Sequence, residues 1–193
     1  MKLLFIVMFT LSFVVMPTYS FAKSYSVEEV SSKIDWHLYI AEGTDVYGQI
    51  PIIKGQFDFE KNSGELSFDL AKTKSWELDE GKKDYSDARD DRIRSITSSK
   101  KNIPVFSVTS ISGYNNSKSS SNIELTGKLS LNGNTKNIVI KAIVEKIENE
   151  LKLKAKYQLK WEDFKIDNPV IWILRVTKKP QEFITLSFDL TLK

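Results

Sequence analysis

A strict two-residue alternation constrains this chain more than any other feature. Between residues 151 and 161, Leu151, Leu153, Ala155, Tyr157, Leu159 and Trp161 alternate with Lys152, Lys154, Lys156, Gln158 and Lys160. Successive side chains of a strand point to opposite faces, so the run predicts a strand with one buried and one solvated face. The C-terminal stretch repeats it, setting Ile184, Leu186, Phe188, Leu190 and Leu192 against Thr185, Ser187, Asp189 and Thr191. Leu125, Leu129 and Leu131 do the same within 124–131. Further runs at 32–41, 50–60, 64–71, 103–114 and 136–147 bring the set to about eight strands. Asn62-Ser63-Gly64, Asn132-Gly133-Asn134 and Glu148-Asn149-Glu150 separate these runs and read as hairpin turns.

Residues 84–97 break the alternation. Asp84 or Ser86 can cap a helix start, and Arg92 and Arg94 fall towards the C-terminal half, as the helix dipole favours. One short helix is therefore expected at about 84–97. Eight antiparallel strands close most simply into a barrel, which leaves no exposed edge. Such a barrel is filled by its own side chains or holds one slender ligand. The expected fold is all-β, an eight-stranded antiparallel barrel with one inserted helix.

Alternation does not say which face is inside. An outer-membrane barrel is apolar outside, whereas a lipocalin-like barrel is apolar inside. Three features favour the second. The polar face of 152–160 is nearly all Lys, the chain ends Thr191-Leu192-Lys193 without a terminal aromatic, and Trp36, Phe57, Phe59, Phe68 and Tyr157 fall mid-run rather than in girdles.

Residues 1–22 read as a secretory signal peptide. Lys2 precedes an apolar stretch, Leu3 to Met16, which Pro17 breaks, and Ser20-Phe21-Ala22 offers a small-x-small cleavage site. The apolar stretch is about 14 residues, short of the roughly 20 that span a bilayer. Lys23 stands where a lipoprotein requires Cys. Residues 23–193 then form one domain, expected in the periplasm, with release outside the cell as second choice.

Composition excludes several functions. The chain has no Cys and one His, so disulfides, thiolate nucleophiles and multi-His metal centres are out. A net charge of +3 on 193 residues is too small and dispersed for a nucleic-acid binder. His37 alternates with Trp36 and Leu38, which puts it on the polar side of its strand. No serine nucleophile motif accompanies it, so no enzyme activity and no cofactor are expected.

Four stretches carry a family resemblance. Ala88-Arg89-Asp90-Asp91-Arg92-Ile93-Arg94-Ser95 resembles the conserved helix of the YceI-like family, and Asn102-Ile103-Pro104-Val105-Phe106 resembles the strand that follows it. Gly127-Lys128-Leu129-Ser130-Leu131-Asn132-Gly133-Asn134-Thr135-Lys136 is similar to that family's hairpin, and Trp161-Glu162-Asp163-Phe164-Lys165-Ile166 to the end of its penultimate strand. The resemblance spans about 24–193. It implies a lipocalin-like barrel that holds a polyisoprenoid or another long-chain amphiphile. One departure is Ile96-Thr97-Ser98-Ser99-Lys100, where the family's helix usually runs into an aromatic-rich segment.

Mid-strand residues of the apolar faces are the candidate lining: Trp36, Leu38, Phe57, Phe59, Phe68, Phe106, Leu129, Leu153, Tyr157 and Phe188. An isoprenoid tail offers only apolar surface, so its site needs aliphatic and aromatic walls and little else. Arg89, Asp90 and Arg94 either anchor a polar head group at the mouth or pin the helix to the barrel, and pinning is preferred. The apolar segment 169–176 packs on the barrel end or touches a membrane surface through Trp172. The expected function is sequestration or transport of a long-chain isoprenoid or related lipid. The alternative is a ligand-free stress-response or interaction protein with a filled barrel.

Overall fold

A computed structural model describes residues 23–40, 44–77, 103–160, 162–166 and 182–193, with Asp87, Asp90, Asp91 and Arg94 between them. The strands are β1 (Ser24–Ser26), β2 (Lys33–Ile40), β3 (Thr44–Ile50), β4 (Ile52–Asp58), β5 (Ser63–Phe68), β6 (Lys74–Glu77), β7 (Val105–Ser112), β8 (Ser120–Leu131), β9 (Asn134–Ile147), β10 (Glu150–Lys160) and β11 (Phe183–Leu192). All lie in one antiparallel sheet of order β1-β4-β5-β7-β8-β9-β10-β11-β2-β3-β6.

The sheet curls because two of its strands bend. β3 and β4 are one run interrupted at Pro51, which lacks the N–H that a ladder needs. β5 continues into β6 through a 3-10 turn at Leu70–Lys72, whose start is held by the Asp69 carboxylate accepting from Ala71 N at 3.0 Å. The two bends are tied by Asp69 N donating to Pro51 O at 2.8 Å. On one side of this corner β3 and β6 continue the sheet from β2, and on the other β4 and β5 continue it from β7. The residues around β1 fasten the curl. Val27 N donates to Gly55 O of β4, while Glu28 N donates to Thr191 O at the end of β11.

The sequence reading is corrected on two points: the strands number eleven rather than eight, and the sheet order ends on β1 and β6 with no pairing between them among the described residues, so it is a curled half-barrel rather than a closed barrel. β1 is three residues long, too short to show a period. β3 presents Val46, Gly48 and Ile50 inward, so a glycine interrupts its apolar alternation. β6 inverts the usual pattern, with Ser75 buried and Trp76 exposed. No α-helix is among the described elements; within the expected 84–97 interval, Asp87, Asp90, Asp91 and Arg94 have helical backbone and the rest lies outside the described residues. Residues 1–22, Arg89 and the segment 169–176 also lie outside them.

One apolar cluster fills the concave side, drawn from the inner faces of β2 to β5 and β7 to β11. The inward set of β10 is Leu151, Leu153, Ala155 and Leu159, as its alternation dictates, while Lys152, Lys154 and Lys156 point away.

Candidate functional site

The concave surface is built from rows that cross the strands. One row runs Leu186, Trp36, Gly48 and Ser75 across β11, β2, β3 and β6. A second runs Gly55, Leu66, Phe106 and Leu129 across β4, β5, β7 and β8. A third runs Ile123, Ala142, Ala155, Phe188 and Ile34 across β8 to β11 and β2. Nine of the ten candidate lining residues are buried in this one cluster: Trp36, Leu38, Phe57, Phe59, Phe68, Phe106, Leu129, Leu153 and Phe188. Tyr157 is half-buried against it.

Trp36 is the most firmly held of these walls. Its indole N–H donates to Thr73 Oγ1 at 3.1 Å, and the Thr73 hydroxyl donates to Gln49 O at 3.1 Å. The ring occupies the space above Gly48, where an added Cβ would sit 2.1 Å from Trp36 Cε2.

At the end of the concavity where β4 turns into β5, the Phe59 ring lies 4.4 Å from that of Tyr114 and meets Tyr25 edge-on at 5.8 Å. Beneath this lid Phe57, Leu151, Leu153, Leu190 and Leu192 are 2% exposed or less, so protein atoms fill that half. Away from the lid Ile34, Val46 and Phe164 are buried as completely, and the small residual exposures, 9% at Ala155, Ile184 and Phe188 and 8% at Val27, occur at both ends. Burial and then the charge of Asp163 push the Tyr157 phenol above its ordinary pKa, and burial does the same to Tyr114.

Besides Thr73, a second polar group reaches the inner surface on β6. Ser75 on β6 is buried and its hydroxyl donates to the carboxylate of buried Asp90. Arg94 instead pairs with Asp91 at 2.7 Å. Asp90 therefore ties its own position to β6 through Ser75, as the pinning reading expects of it, while the Arg of that reading is not Arg94, and Arg89 lies outside the described residues. Ser75 was missed because Lys74-Ser75-Trp76-Glu77 gives no inward apolar signal. Ile34, Val46, Ile123, Ile140 and Val144 also belong to the inner surface, and the same period-two pattern contains them. His37 lies on the outer face, its ring stacked 4.5 Å from Tyr47 and its Nε2 3.4 Å from Asp45 Oδ1. Asp35, the neighbour considered from sequence, pairs with Lys33 at 2.9 Å.

Residues 25–192 match the model of the YceI-like domain. The chain belongs to the YceI-like family. No curated protein matches it. Among solved structures it is similar to a polyisoprenoid binding domain from Saccharophagus degradans implicated in plant cell wall breakdown, with 12% identity, a TM-score of 0.67, and 88% of this chain and 97% of that one covered. It is also similar to BcnA of Burkholderia cenocepacia, with 15% identity, a TM-score of 0.59, and 86% and 98% covered. A mutant of the Campylobacter jejuni YceI protein aligns at 14% identity and a TM-score of 0.51, over 99% and 97% of the two chains. These likenesses establish the fold.

Two of the stretches that resemble the YceI-like family meet in space. Asn132 and Gly133, with φ of 50° and 72°, make the tight turn between β8 and β9 that an Asn-Gly pair favours. The Asn134 amide then donates to Phe164 O at 3.1 Å, and Lys136 lies 3.7 Å from Asp163. The hairpin thereby holds the 3-10 turn Glu162–Phe164, whose Phe164 ring is fully buried.

Proposed function

We propose that this YceI-like chain sequesters or carries a long-chain isoprenoid or related lipid by apolar enclosure, with no catalytic step. The supporting observation is the concave face, which is apolar row after row across the strands. Each methylene moved from water into such a surface contributes about 0.8 kcal/mol, so a long tail binds tightly without a charged anchor. The similar polyisoprenoid binding domain supports the same class of ligand. The tail runs along Trp36, Leu38, Leu129, Tyr157 and Phe188, while Phe57, Phe59 and Leu153 belong to the filled end and act as its floor. The filled end also supports the rival reading of a ligand-free interaction protein, if the filling continues to the other end.

The chain is exported to the periplasm after cleavage behind Ala22. N-terminal sequencing of the exported protein should begin at Lys23. The deciding experiment is native mass spectrometry of the protein purified from its own cells, followed by organic extraction. A discrete added mass that extracts as a prenyl chain supports the reading and identifies the ligand. A bare protein mass, with no uptake of added prenyl lipid, overturns it in favour of the filled barrel.

A further inference from the structure

β9 and β10 are hydrogen-bonded over only part of their length. Their ladder runs from Glu150↔Ile147 to Ala155↔Ala142 and stops there. Yet β9 stays paired with β8 as far as Asn134, and β10 stays paired with β11 as far as Lys160. Residues 137–141 and 156–160 therefore border a notch in the wall, with no ladder between them. The turn Glu162–Phe164 sits at its base, held to the β8–β9 hairpin. Ala142 and Ala155, the last pair above the notch, are the smallest inward side chains of their strands. Ile140 and Leu159, buried on the two sides, carry the apolar inner surface up to its edges.

The outer rim has a different chemistry. Lys141 and Lys156 flank the tip of the notch, with Lys154 one outward step above. The carboxylates facing this patch are Glu145, 3.5 Å from Lys154, Asp189, opposite Lys154 on β11, and Glu124, opposite Lys141, with Asp35 further along the same face beside Lys33. The outward side of β9 also exposes Val139, Ile143 and Ile147 at 49%, 44% and 48%. A furrow of about 810 Å³ crosses the outer face here, lined among others by Lys141, Ile143, Lys154 and Lys156. Large aliphatics interleaved with lysines match an anionic bilayer, where the aliphatics enter the acyl boundary and the ammonium groups meet phosphates.

We propose that the notch between β9 and β10 is a lateral portal for a lipid tail, seated on an anionic membrane by Val139, Ile143 and the lysines at its rim. This rests on the lipid-binding reading and adds the route and the donor surface. A tail that slides sideways keeps its methylenes covered by bilayer or protein throughout, whereas end-on passage exposes the whole tail to water. The head group stays outside on the lysines and is never drawn through the apolar interior.

The chain has no Cys, so K141C/K156C introduces a single disulfide across the tip of the notch. The probe is a fluorescent prenyl phosphate, donated either from phosphatidylglycerol vesicles or from a cyclodextrin complex. The oxidised variant should accept the probe from vesicles at least tenfold more slowly than the same protein reduced, and reduction should restore the rate. Independently, replacing Lys141, Lys154 and Lys156 by Gln should weaken vesicle binding about fivefold per lysine, and V139S/I143S should weaken it further. These surface variants test the seating even if the disulfide pair does not close. Equal transfer by oxidised and reduced protein, or equal donation from phosphatidylcholine and phosphatidylglycerol vesicles, overturns the portal and leaves lipid carriage standing. No uptake from vesicles or cyclodextrin by the unmodified protein overturns the carriage reading itself, and the portal with it.

Discussion

Gly48→Ala is a one-carbon test of how the inner wall is built. The added Cβ would lie 2.1 Å from Trp36 Cε2, where ordinary contact begins at 3.4 Å, so the indole must retreat by about 1.3 Å. It has no free path, because its N–H is bonded to Thr73, which is itself bonded to Gln49 O. Overpacking of this kind costs about 1–3 kcal/mol. Leaving the buried indole N–H without its acceptor adds about 1–3 kcal/mol. Against this, replacing a strand glycine by alanine stabilises by roughly 0.5–1 kcal/mol through the unfolded chain. The net expectation is a loss of about 1–5 kcal/mol. With a urea m-value of about 2 kcal/mol per molar, the midpoint should fall by roughly 0.5–2.5 M. Urea titration followed by far-UV circular dichroism measures this. Thr73→Val, which removes only the hydrogen bond, should cost less than Gly48→Ala. In a Trp36→Phe background the smaller ring frees the space, so Gly48→Ala should lose most of its effect. If Gly48→Ala unfolds at the wild-type midpoint or above, the wedge between Trp36 and Thr73 is refuted.

Three further outcomes are expected. Leu153→Ala, which removes a side chain only 1% exposed, should destabilise by about 2–5 kcal/mol in denaturant titration, and Phe188→Ala should weaken prenyl-lipid affinity. Ser75→Ala and Asp90→Ala should each cost about 1–3 kcal/mol, and the double variant should cost less than their sum, because both remove one interaction. Glu28 has its pKa lowered by hydrogen bonds from Lys193 and then Ser31, so folding is favoured by its ionised form. That contribution is present above the unfolded carboxylate pKa and is lost as pH falls through the lowered folded value. The stability difference between wild type and Glu28→Gln should therefore shrink as the pH falls through and below the ordinary glutamate range, measured by thermal melts across pH.

The long strands were legible because their physics is local. Leu151 to Leu159 and Ile184 to Leu192 alternate without exception, and a one-residue slip would turn a whole face to water. β3 was hidden by the device that builds Trp36 into the wall. A ring from β2 covers position 48, so the inward residue there must be glycine and the apolar period fails. Phe57 over Gly64 follows the same rule on β4 and β5, where a Cβ would lie 2.7 Å from Phe57 Cδ1. β6 was hidden because its buried residue answers Asp90, and that pairing depends on a segment far away in sequence. Pro51 and the Leu70–Lys72 turn, where the sheet folds over itself, set off β3 and β6, and the three-residue β1 completes the eleven.

The candidate site was legible as a surface but not as a boundary. Period two identifies which side chains face inward, and nine of the ten chosen residues are buried there. It carries no information about depth along the axis, because Leu153 and Phe188 occupy equivalent alternating positions. One is 1% exposed beneath the Tyr25–Phe59–Tyr114 lid and the other 9% exposed beside the β9–β10 notch. The notch itself has no local sequence signature. Ile138 and Ile140 alternate as regularly below the last β9–β10 pair as Ala142 and Val144 do above it. The contacts at the base of the notch are long-range: Asn134 donates to the backbone of Phe164 and Lys136 meets the carboxylate of Asp163, which ties the 162–164 turn to the β8–β9 hairpin. On the proposed carrier reading, apolar enclosure needs no convergent polar residues, so specificity would reside in where the wall is closed and where it is left unpaired.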